Sequence, residues 1–208
     1  MRRSSETDSY NLRAEKSLSS NDVTNRFVLS YVYDGPVGRG KTYLSHASGM
    51  VNEVLGGWGL EGVTTLQSGF PLGFTTNLNL TNSFGGGSRP NYTPGCSKQI
   101  NGSAVSKLGG WFNTSCFTQP PAFTFGNESR NDGHLRAPGI ANWDTAAVKR
   151  FPIKSEGGYV QFRVEAFNLF NRVQVGYPGL VQGTSNFGVI GSQYNLPRVL
   201  QFALRVNY

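Results

Sequence analysis

Arg198-Val199-Leu200-Gln201-Phe202-Ala203-Leu204-Arg205-Val206-Asn207-Tyr208 decides how the rest of the chain is read. Leu200, Phe202, Leu204, Val206 and Tyr208 share one face of an extended strand. Gln201, Ala203, Arg205 and Asn207 share the other. The period is two, apolar against mostly polar, over the length a tilted strand needs to cross a bilayer. The terminal aromatic suits the closing strand of an outer-membrane β-barrel. A half-buried strand of a soluble sandwich alternates in the same way, so this stretch alone leaves barrel and sandwich both open.

Working outward, the chain has 208 residues, enough for one sizeable domain. Twenty-seven glycines, 12% aromatic residues and only 15% charged residues suit turn-rich β structure. No apolar run reaches the length of a transmembrane helix, but barrel strands hide their hydrophobicity by alternation. The net charge of +7 is scattered over Arg2, Arg3, Arg39, Lys41, Lys149, Arg150, Arg163 and Arg205. No basic cluster forms, so nucleic acid is not an expected partner. Met1-Arg2-Arg3-Ser4-Ser5-Glu6 has no apolar core behind it and does not read as an export signal. A barrel without one is expected to be the C-terminal piece of a longer protein.

Four further strands are expected, near 25–34, 57–70, 142–151 and 159–170, with the closing strand at 198–208. Phe27, Leu29, Tyr31 and Tyr33 oppose Val28, Ser30, Val32 and Asp34 in the first. Val160, Phe162, Val164 and Ala166 oppose Gln161, Arg163 and Glu165 in the fourth. The third, 142–151, alternates poorly. The fold class is therefore all-β: an antiparallel meander of about five transmembrane strands, an incomplete part of a large outer-membrane barrel. Residues 1–24 read as a polar loop, and 25–208 as the barrel segment.

Stretches 71–141 and 171–197 have no period and are rich in Gly, Asn and aromatics, Phe84 among them. Such long irregular segments are uncommon in a compact soluble domain but expected on the outer side of a barrel, opposite short periplasmic turns such as 152–158. The 35–56 connection is longer than that pattern predicts. Five strands leave two open edges, and each unpaired backbone group in lipid costs several kcal/mol. A closed pore from these strands alone is not expected.

Several stretches resemble the C-terminal barrel of Oar-like TonB-dependent receptors. They include Asp22 to Val28, Tyr31 to Lys41, Gly56 to Gly62, Gln67 to Pro71, Trp111-Phe112-Asn113 and Phe125-Gly126-Asn127. Phe162 to Asn171 is the strongest, with an Asn-Leu-Phe-Asn element (168–171) similar to one near the end of many such receptors. Asn186 to Ile190 and Pro197 to Tyr208 complete the series. The resemblance spans essentially the whole chain. It implies an outer-membrane importer of roughly 22 strands with a plug, taking up a large, scarce ligand with energy passed from TonB. It also implies partners: outer-membrane lipid, the remaining barrel and plug, the TonB complex through a segment outside this chain, and the barrel-assembly machinery.

Candidate site residues follow. Gln161, Arg163, Glu165, Gln201 and Arg205 would face the lumen, either lining a solute path or pairing with neighbouring strands and plug. Trp111 and Phe112 would stack on a sugar or siderophore, or pack their loop against itself. Trp58, Tyr31, Tyr33 and Tyr208 suit an interfacial aromatic girdle. Cys96 and Cys116 show no metal-binding spacing. They form a disulfide in an oxidising compartment, contributing roughly 3 kcal/mol, or remain two free thiols in a loop. His46 and His134 lack ligand-spaced partners, no Gly-x-Ser-x-Gly frames a nucleophile, and no phosphate loop is present. Neither catalysis nor a cofactor is expected. The competing reading is a secreted β-sandwich that binds carbohydrate through a disulfide-pinned aromatic loop, which requires the apolar strand faces to meet one another.

Overall fold

The computed structural model describes residues 8, 10–83, 87–153 and 158–208. Arg2, Arg3, Phe84 and most of the 152–158 turn lie outside them. The strands among the described residues are, in chain order, β1 (Arg26–Asp34), β2 (Trp58–Gln67), β3 (Thr75–Thr76), β4 (Asn91–Tyr92), β5 (Phe117–Thr118), β6 (Ile140–Pro152), β7 (Tyr159–Phe167), β8 (Val181–Gln182) and β9 (Val199–Asn207). The long strands form one antiparallel sheet in the order β1-β2-β6-β7-β9. It is an all-β meander, open at β1 and β9. The chain divides into two compact units: a sheet unit (26–66, 141–173, 195–208) and a loop unit (1–25, 67–140, 174–194).

In the sheet unit, register assigns the faces. β6 pairs with β7 from Thr145↔Ala166 to Pro152↔Tyr159. β7 pairs with β9 from Tyr159↔Asn207 to Phe167↔Val199. Directly paired residues share a face. One face therefore gathers Phe162, Val164, Leu200, Phe202, Leu204 and Val206. The other gathers Gln161, Arg163, Glu165, Gln201, Ala203 and Arg205. The apolar face is uncovered: Leu204 is 70% exposed and Phe202 65%. This corrects the sandwich reading, which needs a second layer on that face.

β6 alternates poorly for a specific reason. Lys149 pairs with Phe162 and so falls on the apolar face, while Ala146 and Val148 pair with Glu165 and Arg163 on the polar face. Lys149 is buried, donates to the Gly56 carbonyl and lies near the rings of Trp58 and Phe151. A buried ammonium persists because it has an acceptor and aromatic neighbours. Trp143 and Phe151 mark the two ends of the same face of β6. Eight residues separate them, about 26 Å at ~3.3 Å per residue.

The Asn-Leu-Phe-Asn element is the hinge from β7 towards β9. Asn168 and Asn171 adopt positive φ, 54° and 50°, a conformation Asn tolerates better than most residues. Asn168 Oδ1 accepts from the Arg172 N–H at 2.8 Å, and its Nδ2 donates to the carbonyls of Arg172 (2.9 Å) and Leu196 (3.2 Å). Its own N–H donates to Asp144 at 2.8 Å. Asn171 Oδ1 accepts from the Arg198 N–H at 2.9 Å, just before β9 begins. The connection between β1 and β2 holds a short helix, α1 (Gly49–Leu55), which accounts for its extra length over a periplasmic turn.

The loop unit has its own core of Leu72, Phe74, Phe112, Cys116, Phe117, Leu135 and Ala137. Phe74, Phe112, Phe117 and Phe187 meet edge to face or tilted, with centroids 4.6 to 6.1 Å apart. Cys96 and Cys116 form a disulfide, Cα to Cα 5.5 Å. Two small ladders, β3 with β8 in parallel and β4 with β5 antiparallel, complete the unit.

Candidate functional site: the polar sheet face and the loop pocket

On the polar face, Arg163 lies between two carboxylates. Its Nη1 donates to Glu61 Oε2 at 2.8 Å, and its Nη2 and Nε donate to Glu165 Oε1 at 3.0 and 3.2 Å. β2 supplies Glu61, and β7 supplies the other two. Three charged groups close together in a half-buried wall require such pairing. A groove of about 350 Å³ runs over this cluster, lined also by Val32, Val63, Asp144 and Phe167. Gln161 is paired with Arg205 and is buried, whereas Gln201, paired with Glu165, and Arg205 are exposed. All five polar residues singled out in the sequence thus share a face. Glu61, the second partner of Arg163, was not singled out. Its signal was its place among the polar positions of β2.

The loop unit holds a second concavity of about 300 Å³, lined by Gln99, Asn101, Lys107, Trp111, His134 and Arg136 among others. The Lys107 ammonium lies 4.2 Å from the Trp111 ring centroid. The indole Nε1 donates to the Arg136 carbonyl at 2.7 Å, and Gln99 Nε2 donates to the His134 carbonyl at 2.9 Å. Arg136 is held by Asp22 at 2.6 Å.

Beneath the loop surface, Lys98 donates to Glu128 (2.7 Å) and Asp132 (2.6 Å), and its ammonium lies 3.9 Å from the Tyr92 ring centroid. Both carboxylate side chains are 1% exposed. Burial pulls the Lys98 amine down, but its two carboxylate partners outweigh it and leave it above its ordinary 10.5. Burial pushes the Glu128 carboxyl up, only partly offset by Lys98. Burial acts upward on Asp132 too, but Lys98 and the backbone N–H groups of His134 and Leu135 hold it below 3.8.

A family model described as "Outer membrane beta barrel domain" matches residues 2–201. The chain belongs to the outer membrane beta barrel domain family. No curated protein and no solved structure matches it. Membership of this family places the protein in the bacterial outer membrane and agrees with the observed antiparallel sheet. No helix among the described residues is long and apolar enough to cross a membrane, and in an outer membrane beta barrel domain the strands do the crossing.

Within this barrel domain Trp111 and Phe112, adjacent in sequence, part company. Trp111 lines the loop concavity. Phe112 is 1% exposed, packed among Phe74, Phe117 and Phe187. Of the two readings of Phe112, ligand contact or packing of the loop against itself, its buried position among the loop-core rings fits the packing. Tyr208 lies just beyond β9, fully exposed.

Proposed function

We propose that this chain supplies wall strands and surface loops of a TonB-dependent outer-membrane receptor that takes up a large, scarce ligand. The observation that carries the reading is the open two-faced sheet, with β1 and β9 at its edges. Open edges in hydrocarbon cost several kcal/mol per unpaired group, which favours completion by further strands over a small pore. The apolar face, with Phe162, Val164, Leu200, Phe202, Leu204 and Val206, then faces lipid. The face of Gln161, Arg163, Glu165, Gln201 and Arg205 lines the lumen, as the alternation of membrane barrels requires.

The receptor subtype rests on the motif series in which Asn168-Leu169-Phe170-Asn171 belongs to the strongest stretch. The folded loop unit supports it, since a disulfide, an aromatic core and a concavity with Trp111 in its wall suit ligand capture better than passive diffusion. The role is transport without catalysis. Its partners are lipid, the remaining barrel and plug, the TonB complex and the barrel-assembly machinery, with no part for nucleic acid.

Uptake assays test this. A strain deleted for the gene is compared with its parent on limiting ferric siderophores, oligosaccharides and peptides, with and without an uncoupler. The reading expects one class of nutrient to be lost on deletion and equally on collapse of the proton gradient. Uptake that needs the protein but ignores the uncoupler would assign a passive channel instead.

A further inference from the structure

Helix α1, between β1 and β2, is amphipathic with its polarity reversed. Met50, Val51, Val54 and Leu55 fall on one side of the helix at i, i+1, i+4 and i+5, and all are exposed, Met50 by 81% and Val54 by 61%. The opposite side carries Asn52, which turns inward. Its Oδ1 accepts from the Arg39 N–H at 2.6 Å. Gly38 and Gly56 crowd the same side chain, so closely that an added Cβ on either would approach Asn52 Oδ1. A surface helix in water buries its apolar stripe; this one exposes that stripe and turns a half-buried amide inward.

Two ties fix that orientation against the sheet. The Trp58 indole donates to the Val54 carbonyl at 2.9 Å, and Lys149 donates to the Gly56 carbonyl at the helix end. Lys149 belongs to the apolar face of the sheet by its pairing with Phe162. The exposed stripe is thus joined, through Lys149 and Trp58, to the face assigned to lipid. The β1–β2 connection lies at the same end of the meander as the β6–β7 turn, which is the periplasmic end in barrels of this class. Tyr43 and Leu44, in the same β1–β2 connection, are also exposed, as are Arg39, whose N–H meets Asn52, and Lys41.

We propose that α1 is an interfacial anchor. Met50, Val51, Val54 and Leu55 lie among the acyl chains of the periplasmic leaflet, with Arg39 and Lys41 at its phosphates. A helix of seven residues would bind a membrane feebly by itself. Here the sheet already holds it at the boundary, so insertion needs no ordering of the chain. The inference rests on the lipid-facing assignment of the apolar sheet face, and extends it to an element outside the wall.

The test uses the protein assembled in its membrane and reconstituted in phosphatidylethanolamine/phosphatidylglycerol vesicles. Met50→Cys, Val54→Cys, Glu53→Cys and, as a wall reference, Leu204→Cys are each labelled with an environment-sensitive fluorophore. The proposal expects labels at 50 and 54 to emit blue-shifted light, to be quenched by brominated acyl chains and to be shielded from aqueous iodide. The label at 53 should show the reverse. Iodide quenching at 50 and 54 with normal lipid quenching at 204 would overturn the anchor and leave the wall intact. Shielding of 50 and 54 from both quenchers would overturn it in favour of a protein partner. Loss of lipid quenching at 204 as well would overturn both.

Discussion

The Tyr31 hydroxyl reaches Thr145 Oγ1 at 2.9 Å. Tyr31 lies on β1 and Thr145 on β6, with β2 between them, and the phenol crosses β2 at Gly62. A Cβ at that glycine would lie 2.5 Å from the hydroxyl and 2.6 Å from the Asp144 carbonyl. The missing side chain is the space the tyrosine uses, a covering of strand glycine by a neighbouring aromatic.

Gly62→Ala is therefore expected to destabilise the sheet by about 1–3 kcal/mol, the usual range for overpacking. Tyr31→Phe should cost only about 0.5–1.5 kcal/mol, for one hydrogen bond. In the double variant, Gly62→Ala should not recover, because the ring remains. Denaturant unfolding in vesicles measures all three.

Breaking the link between Cys96 and Cys116 acts on the loop unit. The two are separated by 20 residues, and the chain-entropy relation assigns about 3 kcal/mol to a loop of that size. Cys96→Ala with Cys116→Ala should make 67–140 sensitive to protease while β7 and β9 stay protected. Equal resistance with and without reductant would contradict this.

The Lys98 cluster sets a pH dependence with opposing parts. The depressed Asp132 contributes stability that is complete above its unfolded value near 3.8 and is lost as pH falls through its lower folded value. Glu128, raised above 4.5, works the other way: its cost at neutral pH is relieved as pH falls through its folded value. Lys98 contributes below 10.5, and that contribution fades as pH rises through a higher folded value. Loop-unit stability should rise as pH falls through the raised Glu128 value towards 4.5, and fall again below 3.8 as Asp132 takes up its proton. Glu128→Gln should remove the rise, and Asp132→Asn the acid loss. Lys98→Met leaves two buried carboxylates without their cation and should cost about 3–5 kcal/mol. Protease resistance across pH reads each case.

What could be read from the residues followed the chemistry of alternation. β7 and β9 were legible because each puts charges on one face and apolar groups on the other. β6 was blurred by Lys149, whose charge is neutral to the alternation only because Gly56, 93 residues earlier, offers its carbonyl. A contact that distant leaves no local trace. Helix α1 had a signal, Met50-Val51-x-x-Val54-Leu55, but one too short to stand out from the turn residues around it. The loop core was invisible for another reason: Phe74, Phe112 and Phe187 come from irregular segments and Phe117 from a two-residue strand, so no period announces them. Trp111 and Phe112 looked alike in sequence and separate only in the fold, where one ring has a pocket in front of it and the other does not.

The central claim is that the sheet is a membrane wall with lipid on one face and an aqueous lumen on the other. Spin labels at Ala203→Cys, Leu204→Cys, Arg205→Cys and Val206→Cys in β9 test it most directly, by collision with oxygen, which favours lipid, and with a polar nickel chelate, which favours water. The account predicts strict alternation: 204 and 206 in lipid, 203 and 205 in water. Four labels with the same accessibility, or the opposite phase, would contradict it.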